Sequence, residues 1–445
     1  MKFYAANQSN RSAKNSAKNG LLVVLAILLA LLSAANWLYG LNFEQLPADN
    51  PLRRGYDHIT GSARGYEIRS SGVAAAIPAQ MAVSFGGTTT GIQYSLTELE
   101  NSLQVVQPVW AQILRDSSLI QTSEEDFITA LSGDCMLLQY YGIIPLNILA
   151  DWLGGAWEEN LAVSMLCYTA STQQVFVRAK DGTLYAAPVS VDEETFQEAA
   201  QTFYGSPCTL AGNAYFVYPE TLLFEQERLS FPILTAQAPA LFSPQSGANL
   251  ETLLDAFDYT PYTRTYNEQG GQVRVFVDGA STLRVGTDGL IQYAVSGSNG
   301  QIYAFEEGEA EGFHALSAQI DSARNILTLA LRAGDIDIHT ALYTAQQDQS
   351  GRTTLVFLQL YGGIPVLGNN DFAVFVFEKG MLSSATIQLQ KFQNTETFCA
   401  IISARLAATS SEGERHGLIT AYRMRDSRYV PERFYWLSPI ENPSA

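Results

Sequence analysis

Side chains able to do chemistry are sparse along this chain. The four histidines, His58, His314, His339 and His416, stand alone; none lies in an HExxH pattern and none has a second ligand three or four residues away. The four cysteines, Cys135, Cys167, Cys208 and Cys399, are scattered without a CxxC pair, so neither a zinc site nor a disulfide scaffold is implied. Buried free thiols are the expectation. No GxSxG elbow, phosphate-binding glycine loop, dinucleotide fingerprint or kinase signature occurs. A Ser–His–Asp set needs only spatial proximity, so a hydrolase built around His339 or His416 is the third-ranked reading. Asp335 and Asp337 alternate with Ile336 and Ile338, which puts both carboxylates on one face of a strand. A solvated strand edge explains them better than a metal or acid–base pair. The run Glu306-Glu307-Gly308-Glu309-Ala310-Glu311 lacks the ligand spacing of a calcium loop and reads as a solvated linker. Trp110, Trp152, Trp157 and Trp436 sit in apolar surroundings and are expected as core or interface anchors. The expectation is a protein without catalytic residues, metal or cofactor.

Charge and hydropathy set the frame around these residues. The chain has 445 residues, 47% of them hydrophobic, and a formal charge of −18. Its basic residues before position 40 are Lys2, Arg11, Lys14 and Lys18, with no acidic residue among them, so the remainder is strongly acidic. Such a body is a poor partner for nucleic acid or anionic lipid, whose binding depends on phosphate neutralisation. Residues 21–39, LLVVLAILLALLSAANWLY, carry no charge and approach the ~20 apolar residues that span a bilayer. Preceding positive charge orients such a helix with its N-terminus in the cytoplasm. A cleaved signal peptide ending near Ser33-Ala34-Ala35 is the competing reading. Ala26, Ala30 and Ala34 recur every fourth residue and form a small-residue stripe on which a neighbouring helix can pack closely, the expected partner-binding residues.

Periodicity and punctuation divide the rest. The expected segments are a basic cytoplasmic tail (1–19), a transmembrane helix (20–40), an N-terminal extracytoplasmic α+β domain (41–240), a central β-rich domain (241–308) and a C-terminal α+β domain (309–445). Leu96, Leu99, Leu103 and Val106 keep helical spacing. A second helix is expected over 108–116 and a third after Ser123. Hairpin turns are read at Asp181-Gly182, Asp278-Gly279, Asp288-Gly289 and Lys379-Gly380. Ala315–Arg332 and Glu396–Ala407 are read as helices. Tyr141-Gly142-Ile143-Ile144-Pro145-Leu146 is echoed by Tyr361-Gly362-Gly363-Ile364-Pro365-Val366. The fold class expected is α+β: a single N-terminal transmembrane helix, then extracytoplasmic domains of helices packed on antiparallel sheets.

Four stretches carry a family likeness. They are Asp134-Cys135-Met136-Leu137-Leu138-Gln139-Tyr140-Tyr141 through Ile144-Pro145-Leu146; Leu253-Leu254-Asp255-Ala256-Phe257-Asp258-Tyr259 with the hairpins Val273–Asp278 and Leu283–Tyr293; Leu360-Tyr361-Gly362-Gly363-Ile364-Pro365-Val366; and Ala421-Tyr422 with Tyr429-Val430-Pro431 before Phe434. In this pattern of strands, turns and prolines the chain resembles the YycH family, membrane-anchored relatives of YycI that regulate a sensor histidine kinase of Gram-positive bacteria. The resemblance implies a single-pass regulator at the cell membrane. It would contact the kinase, with a YycI-like co-regulator, through its anchor helix and outer domains. The alternative is an envelope binding module that captures a peptide, lipid or glycan.

Overall fold

The computed structural model describes residues 72–436 apart from 116, 244–248, 298–301, 306–311 and 414. These residues lie within one compact unit, Ile68–Ala445. The order begins α1 (Gly72–Ala75), β1 (Gln80–Phe85), β2 (Thr88–Gln93), α2 (Leu96–Ile113), β3 (Ile120–Gln121), α3 (Glu124–Leu131), β4 (Cys135–Pro145) and α4 (Leu146–Leu153). It continues with β5 (Ala162–Thr169), β6 (Gln174–Ala179), β7 (Leu184–Pro188), α5 (Glu193–Thr202), β8 (Ser206–Leu210) and β9 (Leu222–Phe224).

These strands form an antiparallel sheet ordered β8–β2–β1–β4–β5–β6–β7–β3. Alternation along β4 sends Met136 and Leu138 to one face and Cys135 and Leu137 to the other, as the two-residue period of a strand requires. On the first face pack Leu103, Val106 and Trp110 of α2, Ile148 and Trp152 of α4, and Phe196 of α5. On the second pack Phe127, Ala130 and Leu131 of α3 with Leu222 and Phe224 of β9. Side-chain caps define the helix starts: Ser123 accepts from the Asp126 amide and Asp192 from the Thr195 amide.

The second half follows with β10 (Ser230–Gln237), α6 (Leu250–Ala256), β11 (Arg264–Glu268), β12 (Val273–Asp278), β13 (Ser281–Gly286), β14 (Leu290–Val295) and α7 (Gly312–Ala333). Then come β15 (His339–Gln347), β16 (Arg352–Tyr361), β17 (Ile364–Leu367), β18 (Ala373–Glu378), β19 (Met381–Gln388), β20 (Lys391–Ala400), α8 (Ala404–Thr409), β21 (Gly417–Arg425) and β22 (Arg428–Trp436). A second antiparallel run orders these as β11–β12–β13–β14–β19–β18–β16–β15. Ile320, Ala323, Ile326 and Leu327 of α7 and Leu253 and Leu254 of α6 belong to the same continuous core as α2 and α4.

Two parallel contacts knit the pieces together. Ile143 of β4 pairs with Thr344 of β15, and Val366 and Leu367 of β17 pair with Tyr422 and Arg423 of β21. β21 and β22 form a hairpin, β22 meets β10 at Tyr429 and Leu234, and β10 carries β20 on its flank.

The expected fold class needs correction. The described chain is a sheet-rich, mixed α+β fold with parallel as well as antiparallel pairing, not helices on antiparallel sheets alone. No helix among the described residues is long and apolar enough to cross a membrane. The expected transmembrane segment 20–40, the tail before it and the Ala26/Ala30/Ala34 stripe lie outside the described residues.

Local readings also change. α2 runs unbroken through Pro108 where two helices were expected, with Val106, Val109 and Trp110 all buried against the core. A proline in a helix interior costs about 3 kcal/mol, and packing of that apolar face offsets it. Glu396 begins no helix: Lys391–Ala400 is a strand laddered to β10, and the helix waits for the Ser403 cap. Asp335 and Asp337 precede β15 rather than lying in it. Asp335 adopts a positive φ of 51° and bonds Lys391 Nζ at 2.5 Å.

Candidate functional site

The sheet opens where β4 leaves β5. Gln139 pairs with Met165, but the next pairing is Ile144 with Val163, so the residues between run past a single β5 residue, Ser164. Ser164 is skipped on its other side too, where the register passes from Val163–Ala179 to Met165–Arg178. Bulges of this kind bend a strand and re-aim its side chains. Here the bend delivers β4 to β15, and Gly142 makes the close approach: a Cβ there would fall on the Tyr343 carbonyl.

A cleft of about 130 Å³ occupies the gap, and its lining includes Gln80, Gln139, Tyr141, Ser164, Arg178 and Tyr218. The Gln80 amide donates to Gln139, and Gln139 Nε2 donates to the Glu220 carbonyl at 3.3 Å. The Tyr141 hydroxyl donates to the Gly363 carbonyl at 2.7 Å, so the two halves of the sequence echo touch. Tyr140 also lines the cleft; its hydroxyl is buried without a hydrogen-bond partner, and burial raises its pKa well above the ordinary phenol value.

Arg178 closes the floor. Its Nε and Nη2 lie 2.6 and 2.7 Å from the two Glu220 oxygens, Nη1 donates to the Gly182 carbonyl at 3.0 Å, and the guanidinium stands 4.1 Å from the Tyr218 ring centroid. Both members are almost fully buried. Burial alone would lower the Arg178 pKa, but the Glu220 carboxylate outweighs it and the net shift is upward.

A second buried pair stands behind Tyr94 and Thr420, which also line the cleft. Arg433 pairs with Glu227, donates to Tyr94 Oη at 3.3 Å and to Thr420 Oγ1 at 3.2 Å, and reaches the Ile402 carbonyl at 2.7 Å. Tyr94, held at a φ of 56°, donates to Thr420 Oγ1 at 2.8 Å. Glu227 also accepts from the Ala404 amide at 2.8 Å. Glu220 and Glu227 flank β9, so the segment between β8 and β10, which β9 already ladders to β8, is also clamped to β6 through Glu220 and to β22 through Glu227.

Beyond the second clamp lies the other notable surface. β20 pairs with β10 and with no further strand among the described residues, so its outer edge is open. From its end into α8, Phe398, Ile402 and Leu406 are 56%, 48% and 54% exposed. An open edge beside exposed apolar side chains is an ordinary place for another chain to add.

The residues singled out by sequence scatter over the fold. His58 lies outside the described residues; His314 is exposed with its ring 5.2 Å from Phe313, His339 is exposed at the start of β15, and His416 is buried beside Val217. Among the described residues no group of His, Cys, Asp or Glu could hold a metal ion. Cys135, Cys167 and Cys208 are buried and Cys399 is partly exposed, and none of the four is in a disulfide. Burial pushes the Cys208 thiol up to about 12. Trp110, Trp152 and Trp157 are core residues.

Sequence reasoning missed Arg178, Glu220, Glu227, Arg433 and Tyr94. A signal existed for the first pair: Arg178 interrupts the otherwise apolar run Val175–Ala179, and Glu220 stands just before the apolar run Leu222–Phe224. A charge inside such a pattern marks a buried pair. No family model, curated protein or solved structure matches this chain.

Proposed function

We propose that this chain is a non-enzymatic regulator that works by protein contact at the extracytoplasmic side of a cell membrane. Its partners are a sensor histidine kinase and a YycI-like co-regulator, the partners that the YycH-like sequence pattern implies. The observation that supports contact is the open β20 edge running into exposed Phe398, Ile402 and Leu406. The test replaces Phe398 and Leu406 together by Asp and follows kinase autophosphorylation and co-purification. Loss of association with the fold intact is the expected result. Unchanged association and unchanged kinase output would contradict the proposal.

A second reading, an envelope module that captures a ligand, is favoured by the cleft at the β4 bulge. It predicts that the full chain binds a small envelope component without the kinase, measured by ligand-observed NMR.

A further inference from the structure

We infer that the cleft at the β4 bulge receives one residue of an extended peptide that carries a free carboxylate, an inference that rests on the capture reading. Size comes first. A cleft of about 130 Å³ is close to the ~150 Å³ cavity that holds a single benzene ring, so it takes one side chain or one chain end.

Main-chain chemistry comes second. The ladder between β4 and β5 is interrupted from Gln139 to Ile144, and Ser164 is skipped by both neighbouring strands. Parted strand edges offer amide donors and acceptors at the spacing of another extended chain. The half-buried Ser164 side chain in the lining adds a hydroxyl that can donate to or accept from a peptide group. An acyl chain would leave this hydroxyl and the parted backbone groups desolvated without partners.

Charge comes third. Glu220 is already committed to Arg178 through both oxygens, so the floor presents no spare carboxylate to a cationic guest. Lys180 lines the cleft, stands exposed at its rim and has no ion-pair partner among the described residues. An ammonium so placed favours an anionic group over a neutral one.

The test uses the full chain and saturation-transfer NMR with a pool of N-acetylated tripeptides of the form Ala-X-Ala ending in a free carboxylate. The same pool capped as amides, an N-acetylglucosamine trimer and hexanoate serve as competitors of other chemistry. Expected is binding of the acid pool, weakened roughly tenfold or more by Lys180→Met and by amide capping. Ser164→Phe fills the cleft and abolishes binding; should that variant fold poorly, the exposed Lys180→Met variant carries the test. Binding of the sugar or of hexanoate in place of peptide, lost in Ser164→Phe, overturns the peptide assignment while capture survives. Binding of no probe overturns both.

Discussion

Replacing Arg178 by Met tests the clamp most sharply. The change removes the two hydrogen bonds to Glu220 and the one to Gly182 and takes the guanidinium off the Tyr218 ring, while leaving an aliphatic side chain in its place. What remains is a carboxylate at 1% exposure without its cation. Leaving one member of a buried pair alone costs about 3–5 kcal/mol, and loss of the ring contact adds about 1–2 kcal/mol for a desolvated guanidinium. Replacing both members by apolar residues of similar volume is often neutral or stabilising, so Arg178→Met with Glu220→Leu is expected to recover most of the loss. Urea unfolding of the wild type, both single variants and the double variant yields the coupling energy. Hydrogen exchange of residues 211–229 locates it, with protection falling in the single variant and returning in the double. A single variant within about 1 kcal/mol of wild type, or a double variant no better than the single, would refute the clamp.

Other expectations follow from particular residues. Gly142→Ala drives a methyl into the Tyr343 backbone and is expected to destabilise by about 1–3 kcal/mol, measured by the same unfolding. In native protein Cys399 alone is expected to react rapidly with a thiol reagent, and all four cysteines only after denaturation, because the other three are buried. Asp348 accepts from the Ser350 hydroxyl and from the Ser350 and Arg352 amides, and these bonds hold its pKa below the ordinary value; burial raises that of Asp371. Carboxyl carbon NMR should therefore show Asp348 titrating below, and Asp371 above, a free aspartate. The Asp348 contribution to stability is present above the unfolded pKa and lost as pH falls through the folded one. The Asp371 penalty is full above its folded pKa and fades as pH falls toward the unfolded value.

The fold was legible wherever the signal was local. Asp181-Gly182 and Lys379-Gly380 turn hairpins as read, with positive φ at Gly182, Lys379 and Gly380. The apolar periodicity of Ala315–Arg332 lies within α7. Glu396–Ala407 misled because its helical composition was overruled by a ladder to β10, more than 150 residues earlier in the chain. Burial of Val109 and Trp110 likewise carried α2 through Pro108. The site was hidden for the same reason: Arg178 meets Glu220 across 42 residues, and Tyr94 meets Thr420 across 326. Such pairs leave only a stray charge in an apolar run as their trace.

The contact proposal is tested most directly by a photo-crosslinking amino acid placed at Leu406 in cells. The account predicts a crosslinked species containing a sensor histidine kinase, lost when Phe398 becomes Asp. Crosslinks to no kinase from position 406, with kinase output unaltered by the Phe398 change, would contradict it.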